Sequence, residues 1–145
     1  MRRIVTSAAL AAAGLATLIA APASAEIMHF KAALTSAAET PPNDSKGSGS
    51  LTATYDSASK KLDWTIDYSG LTGPAVAAHF HGPAAAGKAA PPEVPLSGSL
   101  ASPIRGSATL TDAQAKDLMG GMMYFNLHTA ANKDGEIRGQ VEKAM

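Results

Sequence analysis

Apolar residues recur at every second position in several short segments, a pattern typical of β-strands that bury one face. The clearest segment alternates Leu62, Trp64, Ile66 and Tyr68 with charged and polar residues. We expect Trp64, the single tryptophan, at the centre of the core. The same pattern predicts seven further strands, at residues 28–34, 51–55, 77–82, 94–100, 104–110, 122–129 and 136–141.

One segment is predicted to be helical, from Thr111 to Met119. Thr111 can serve as the N-cap, Gln114 completes a capping box, and the Gly120–Gly121 pair ends the helix. About eight short strands with one short helix predict an all-β fold, either an antiparallel β-sandwich or a Greek-key barrel. Residues 82–92 are rich in Gly, Ala and Pro, so we expect a surface loop there that could form a lid or rim.

The N-terminus has the features of a bacterial signal peptide. Two arginines precede an apolar, Ala-rich stretch from Ile4 to Ile19, and Ala23–Ser24–Ala25 supplies a cleavage pattern of small residues. We therefore expect residues 1–25 to be removed. The remaining single domain, residues 26–145, is then periplasmic or secreted and has no membrane span.

The composition excludes several kinds of partner and of covalent support. Because the chain has no cysteine, it offers neither disulfides nor a cysteine-linked lipid anchor, and the core alone must hold the exported domain together. The 120 residues left after cleavage carry 10 basic and 12 acidic side chains. This balance provides no basic patch for nucleic acid and no polybasic segment for a membrane surface.

Three of the four histidines occupy matching positions on two predicted strands. Residues i and i+2 share a strand face, so His79 and His81 lie together while Phe80 faces the core. The same parity puts Asn126 and His128 on one face of the later strand. Three imidazoles on a common side of a sheet can hold one zinc or copper ion. The alternative is that each histidine is a surface residue bonded to a carboxylate or a carbonyl.

Other residues carry weaker signals for the same site. His29 could add a fourth ligand, although a histidine near a new N-terminus is more often simply solvated. Met119, Met122 and Met123 could ligate copper through sulfur, but methionines more often fill gaps in a core. Asn126 is a candidate to support the metal ligands from behind.

Glu136 and Arg138 share one face of the last predicted strand. They could contact an anion or a protein partner. We favour a structural role, in which Arg138 forms a salt bridge to Glu39 in the Glu39–Pro42 connector. No serine lies in a nucleophile elbow, and the chain has no cysteine, so nothing in the sequence indicates nucleophilic catalysis.

Six short motifs occur in an order that resembles the CHRD (chordin) domain across nearly all of the predicted mature chain. They are Phe30–Leu34, Glu39–Pro42, Gly70–Gly73, Ala78–Pro83, Tyr124–Thr129 and Gly135–Gln140. The resemblance implies an extracytoplasmic β-sandwich that acts as a binding module, with an extracytoplasmic protein as one kind of partner. In animals such domains occur in secreted antagonists of bone morphogenetic proteins. The present chain lacks the cysteine-rich modules that accompany the domain there, so the signalling role is not carried over.

A local resemblance suggests a redox alternative. The His-x-His-Gly sequence at residues 79–82 is similar to the copper-side strand of copper/zinc superoxide dismutases, but a dinuclear site of that type needs more histidines than this chain has. The sequence therefore favours an exported binding module that holds one copper or zinc ion through His79, His81 and His128. A copper redox enzyme and a purely structural or protein-interaction domain are the alternatives.

Overall fold

The computed structural model describes residues 24–145, so the predicted signal peptide lies almost entirely outside the described part of the chain. A 3₁₀ turn, Ser36–Ala38, follows the first strand. The other regular elements are β1 Ile27–Thr35, β2 Ser48–Asp56, β3 Lys61–Ser69, β4 Ala75–His81, β5 Pro92–Pro95, β6 Ile104–Thr109, α1 Asp112–Met119, β7 Tyr124–Thr129, β8 Ile137–Gln140 and β9 Glu142–Lys143.

Neighbouring strands are antiparallel and follow the order β5-β4-β7-β8-β1-β2-β3-β6, with β9 paired to β1. We call β1, β2, β3 and β6 the regular half and β4, β5, β7 and β8 the histidine half. The halves join where Thr35 pairs with Arg138. The sheet folds back on itself, because the Trp64 ring on β3 lies 5.2 Å from the Phe80 ring on β4 although these strands are not neighbours. This nearly closed antiparallel sandwich confirms the predicted fold class.

The regular half has one buried face and one wet face, as its alternation predicted. In β1 every second residue from Met28 to Leu34 is buried, and the residues between them are exposed. The strand register keeps the faces aligned, because Phe30 pairs with Ala53 and Ala53 pairs with Trp64. All three side chains are buried, so they contribute to one continuous core.

Strand β7 in the histidine half is buried on both faces. Phe125 and Leu127 point into the apolar core, while Tyr124 and Asn126 on the opposite face are only 4% and 3% exposed. The loop between β4 and β5 covers this second face, where the Tyr124 hydroxyl lies 3.2 Å from the Ala90 carbonyl. The predicted surface loop therefore also forms the cover of a second, polar layer.

Strand β5 differs most from its prediction, since it is Pro92–Pro95 rather than residues 94–100. Beyond the strand, the Leu96 N–H still donates to the Ala78 carbonyl at 3.0 Å. Gly98 then adopts a φ of 85°, a conformation that glycine tolerates, and the chain turns away from β4. A short strand that begins and ends with proline makes a poor template for edge pairing.

The last strands also differ from their predicted bounds. Strand β7 begins at Tyr124 instead of Met122, because the Met122 N–H still donates to the Asp117 carbonyl at the end of α1. The predicted strand at residues 136–141 is β8, Ile137–Gln140. The short β9, Glu142–Lys143, was not predicted and follows it where the chain changes its pairing partner from β7 to β1.

Helix α1 follows its predicted capping. The Thr111 hydroxyl accepts a hydrogen bond from the Gln114 N–H at 3.2 Å, and the Gln114 side chain accepts one from the Thr111 N–H at 2.9 Å. Ala115 and Leu118 are buried and attach the helix to the core. Among residues 24–145, no helix combines the length and the hydropathy that crossing a membrane requires.

Candidate metal centre

The structure brings the three predicted metal ligands together on the second face of the histidine half. Antiparallel pairing of β4 with β7 puts His79 opposite Asn126 and Ala77 opposite His128. One ring nitrogen from each of His79, His81 and His128 lies within 4.8 Å of the other two. His81 is buried and the other two histidines are half-buried, so the cluster lies at the edge of the polar layer.

The His79–His128 pair is oriented by a backbone carbonyl. Nδ1 of His79 lies 3.2 Å from Nε2 of His128, and Nδ1 of His128 lies 2.8 Å from the Lys133 carbonyl oxygen. Because a carbonyl only accepts, Nδ1 of His128 carries the proton of the neutral ring and Nε2 presents a lone pair towards His79. Metal-binding histidines are commonly oriented by a hydrogen bond of this kind.

His81 lies between two oxygen acceptors. Its Nδ1 is 2.9 Å from the Ala90 carbonyl oxygen, and its Nε2 is 3.0 Å from Oδ1 of Asn126. Burial lowers the pKa of His81; the two acceptors oppose this effect, whereas positive charge on His128 and Arg138 adds to it. A neutral His81 donates only one N–H, so its other nitrogen has a lone pair for a ligand.

The donor set and its spacing fit one transition-metal ion. Burial lowers the pKa of His79, and positive charge on His128 and His81 lowers it further, which favours the neutral rings that metals bind. A tetrahedral ion about 2.0–2.1 Å from each nitrogen separates its ligand nitrogens by about 3.3 Å. Nδ1 of His79 and Nε2 of His128 share a hydrogen bond at 3.2 Å, so an ion that binds both would replace the proton between them, and the His81 nitrogen has to move closer to complete the set.

The weaker candidate ligands lie elsewhere or fill other roles. His29 is exposed on the wet face of β1, where it pairs with Thr54 of β2, so the structure does not bring it to the other histidines. Met123 is fully buried in the apolar core, whereas Met119 and Met122 are exposed near the end of α1.

Glu39 and Asn126 lie side by side behind the cluster. Burial raises the pKa of Glu39 to about 7, although the Thr40 N–H and the charge of Arg138 act in the opposite direction. Within residues 24–145, Oε1 of Glu39 has no hydrogen-bond partner. A Cβ atom on Gly135, which has a φ of 128°, would collide with both the Glu39 carboxyl and the Asn126 amide. The close approach of these groups therefore requires glycine at this turn.

Glu136 ties together three chain segments: the β1–β2 connection, the β3–β4 turn and the β7–β8 turn. Its two carboxylate oxygens accept hydrogen bonds from the Ser45 hydroxyl, the Thr72 N–H and hydroxyl, the Thr129 hydroxyl and the Asn132 amide. Burial alone would raise the pKa of Glu136, but the hydrogen bonds from Ser45, Thr129 and Thr72 outweigh it and lower the pKa to about 2. These contacts support the structural role predicted for Glu136.

The predicted salt bridge between Arg138 and Glu39 is wrong. Within residues 24–145 Arg138 forms no ion pair with Glu39; instead Nη1 donates to the Thr40 hydroxyl at 2.8 Å and Nη2 to the Lys88 carbonyl at 2.6 Å. The Cζ atom of Arg138 lies 3.4 Å from the centroid of the Tyr124 ring, so the guanidinium also makes a cation–π contact. Arg138 thus still ties its strand to the connector.

Tyr124 received no role from the sequence, although its strand parity puts it on the face of the histidines.

The fold and the cluster together define an antiparallel β-domain that presents three histidines on one covered face. The family model described as the CHRD domain matches residues 30–141, which include all three histidines, and the chain belongs to this family. The resemblance seen in the sequence motifs is therefore confirmed. No curated protein and no solved structure gives a significant match to the chain.

Proposed function

We propose that this CHRD domain is an extracytoplasmic binding module that holds one copper or zinc ion through His79, His81 and His128. The observation that carries the proposal is the convergence of three imidazole nitrogens within 4.8 Å. Family membership supports a binding or structural module. The extracytoplasmic location rests on the signal-peptide pattern of residues 1–25.

The surroundings of the histidines support metal binding over a merely structural histidine pair. The Lys133 carbonyl fixes the tautomer of His128 and leaves its Nε2 lone pair on the side of His79, and metal-binding histidines commonly have such a supporting hydrogen bond. No carboxylate pairs with a histidine within the described residues, so the rings are not engaged in ion pairs. Three protein ligands also leave a coordination position for water or for a group from a partner.

The test uses the full 145-residue chain, produced with export in a bacterial host. Metal content is measured after purification, and Cu(I), Cu(II) and Zn²⁺ are then titrated in competition with a chromophoric chelator. We expect one bound ion per chain. Loss of a group that supports a ligand typically weakens metal binding by about 10- to 100-fold. His79→Ala and His128→Ala each remove a ligand, so each should weaken binding by more than that.

His29→Ala is the matched control, because His29 is exposed on the wet face of β1. It should bind the metal as the wild type does. Negligible binding by the wild type, or equal binding by all variants, would contradict the proposal and leave a structural or protein-interaction domain. A superoxide dismutation assay of the copper-loaded protein separates the binding module from the redox alternative.

A further inference from the structure

Three side chains from neighbouring strands form a stack that ends at one of the proposed metal ligands. The rings of His81 on β4 and Tyr124 on β7 are nearly parallel, with an interplanar angle of 5° and centroids 4.7 Å apart. The guanidinium of Arg138 on β8 lies 3.4 Å from the Tyr124 centroid. Since β7 lies between β4 and β8, Arg138 and His81 cover opposite faces of the Tyr124 ring.

The stack is buried along its whole length. Arg138 is 2% exposed, Tyr124 4% and His81 7%. A buried guanidinium is costly unless its donors are satisfied, and here Thr40 and the Lys88 carbonyl accept from it while the Tyr124 ring provides a cation–π contact. No carboxylate lies within ion-pair distance of Arg138 in the described chain. These contacts hold the guanidinium in a fixed place against the Tyr124 ring.

Tyr124 also holds His81 through a shared acceptor. The Ala90 carbonyl oxygen accepts a hydrogen bond from the Tyr124 hydroxyl at 3.2 Å and lies 2.9 Å from Nδ1 of His81. The stack therefore fixes the plane of the His81 ring, and the hydrogen bond to the Ala90 carbonyl fixes the rotation of the ring within that plane. Both constraints act directly on His81, whose ring in turn meets the His79 ring edge-on, with centroids 5.4 Å apart.

We propose that Tyr124 and Arg138 are positioning residues of the metal site, which hold the His81 ring in the orientation that binds the ion. This inference rests on the proposed function. A ligand fixed before binding loses less conformational freedom when the metal arrives, and groups that orient ligands typically contribute about 10- to 100-fold in metal affinity. Arg138 acts through Tyr124, and Tyr124 acts directly on His81.

The experiment compares Tyr124→Leu with Tyr55→Leu in the full-length protein. Both tyrosines are buried, but Tyr55 lies on β2 in the regular half and belongs to the apolar core. Tyr124→Leu should weaken copper binding by about 10- to 100-fold, as groups that orient a ligand do. Tyr55→Leu should leave the affinity unchanged, whatever its effect on unfolding. The EPR spectrum of the Cu(II) form should change only in Tyr124→Leu, since the His81 imidazole is then no longer held in its orientation.

A double mutant separates positioning from a general disturbance of the site. If Tyr124 acts through His81, then adding Tyr124→Leu to His81→Ala should weaken binding no further. Arg138→Lys, which keeps the charge but loses the planar stack, and Tyr124→Phe, which keeps the ring but loses the hydroxyl, should each have a smaller effect than Tyr124→Leu. These two variants decide the question if Tyr124→Leu does not fold.

The failure of the proposed function and the failure of this inference give different results. If the wild type binds no metal, both are overturned. If the wild type binds metal and the folded Tyr124 and Arg138 variants bind it equally well, only the positioning role is overturned. Equal losses in Tyr124→Leu and Tyr55→Leu would also overturn it.

Discussion

The two halves of the sheet treat their polar residues differently. In the regular half, polar side chains such as His29 and Thr52 alternate onto a face that stays in contact with water. In the histidine half, the same alternation puts Tyr124 and Asn126 beneath a loop, where they are as buried as the apolar core. Buried polar groups require hydrogen-bond partners, and the histidine half supplies them. A loop that covers a strand face thus converts a wet surface into a second, polar core.

The largest expected effect is on the free energy of unfolding, when a core leucine is truncated in either half of the sheet. Leu62→Ala in the regular half removes a fully buried side chain and should lower the free energy of unfolding by about 3 kcal/mol. Leu127→Ala should cost a similar amount, but this residue lies on β7 next to His128. Urea unfolding and chelator competition should show that only Leu127→Ala also weakens metal binding. Equal losses of affinity in both variants would contradict the separation of the two halves.

Acid stability should depend on the polar layer through Glu136. Because its folded pKa is about 2, below the ordinary value of 4.5, its contribution is present above pH 4.5 and is lost as the pH falls towards 2. The loss should be about 3 kcal/mol in the free energy of unfolding. Urea unfolding between pH 2 and pH 6 measures it. In Glu136→Gln this pH dependence should largely disappear, and its persistence would contradict the assignment.

Glu39 should produce the opposite dependence at higher pH. Its folded pKa is about 7, above the ordinary 4.5, so its favourable contribution is complete below pH 4.5 and is lost as the pH rises through 7. Glu39→Gln keeps the shape but cannot ionise, so at pH 8 it should be more stable than the wild type by about 3 kcal/mol. Unfolding at pH 5 and pH 8 is the measurement. A variant that is less stable than the wild type at both pH values would argue that the ionised carboxylate is needed.

The smallest effect is expected on the wet face. Thr52 is exposed on β2, so Thr52→Ala should change the free energy of unfolding by less than about 0.5 kcal/mol. Asn126→Ala at a polar position of β7 removes the partner of His81 Nε2 and should cost about 1–3 kcal/mol. Thermal and urea unfolding of the pair compare the two faces directly. Similar costs at both positions would show that the loop cover has no energetic consequence.

The pattern of apolar residues predicted the strands because each of them buries at least one face in the apolar core. Parity, with the intervening aromatic and apolar residues assigned to the core, placed His79, His81 and His128 on a common side, and antiparallel pairing of β4 with β7 brought them together. The capping box of α1 was readable since it involves only Thr111 and Gln114, which are neighbours in sequence. Strand ends were less predictable, because they depend on where a partner strand or a helix end takes the backbone hydrogen bonds.

The chain by itself determined which residues share a face, since side-chain direction alternates with a period of two in any strand. Only the tertiary structure decided what covers each face. It sent Arg138 over the ring of Tyr124 instead of to Glu39, and it buried Tyr124 against His81. These contacts join β4 to the β7–β8 pair, which comes much later in the chain, so no local pattern could encode them.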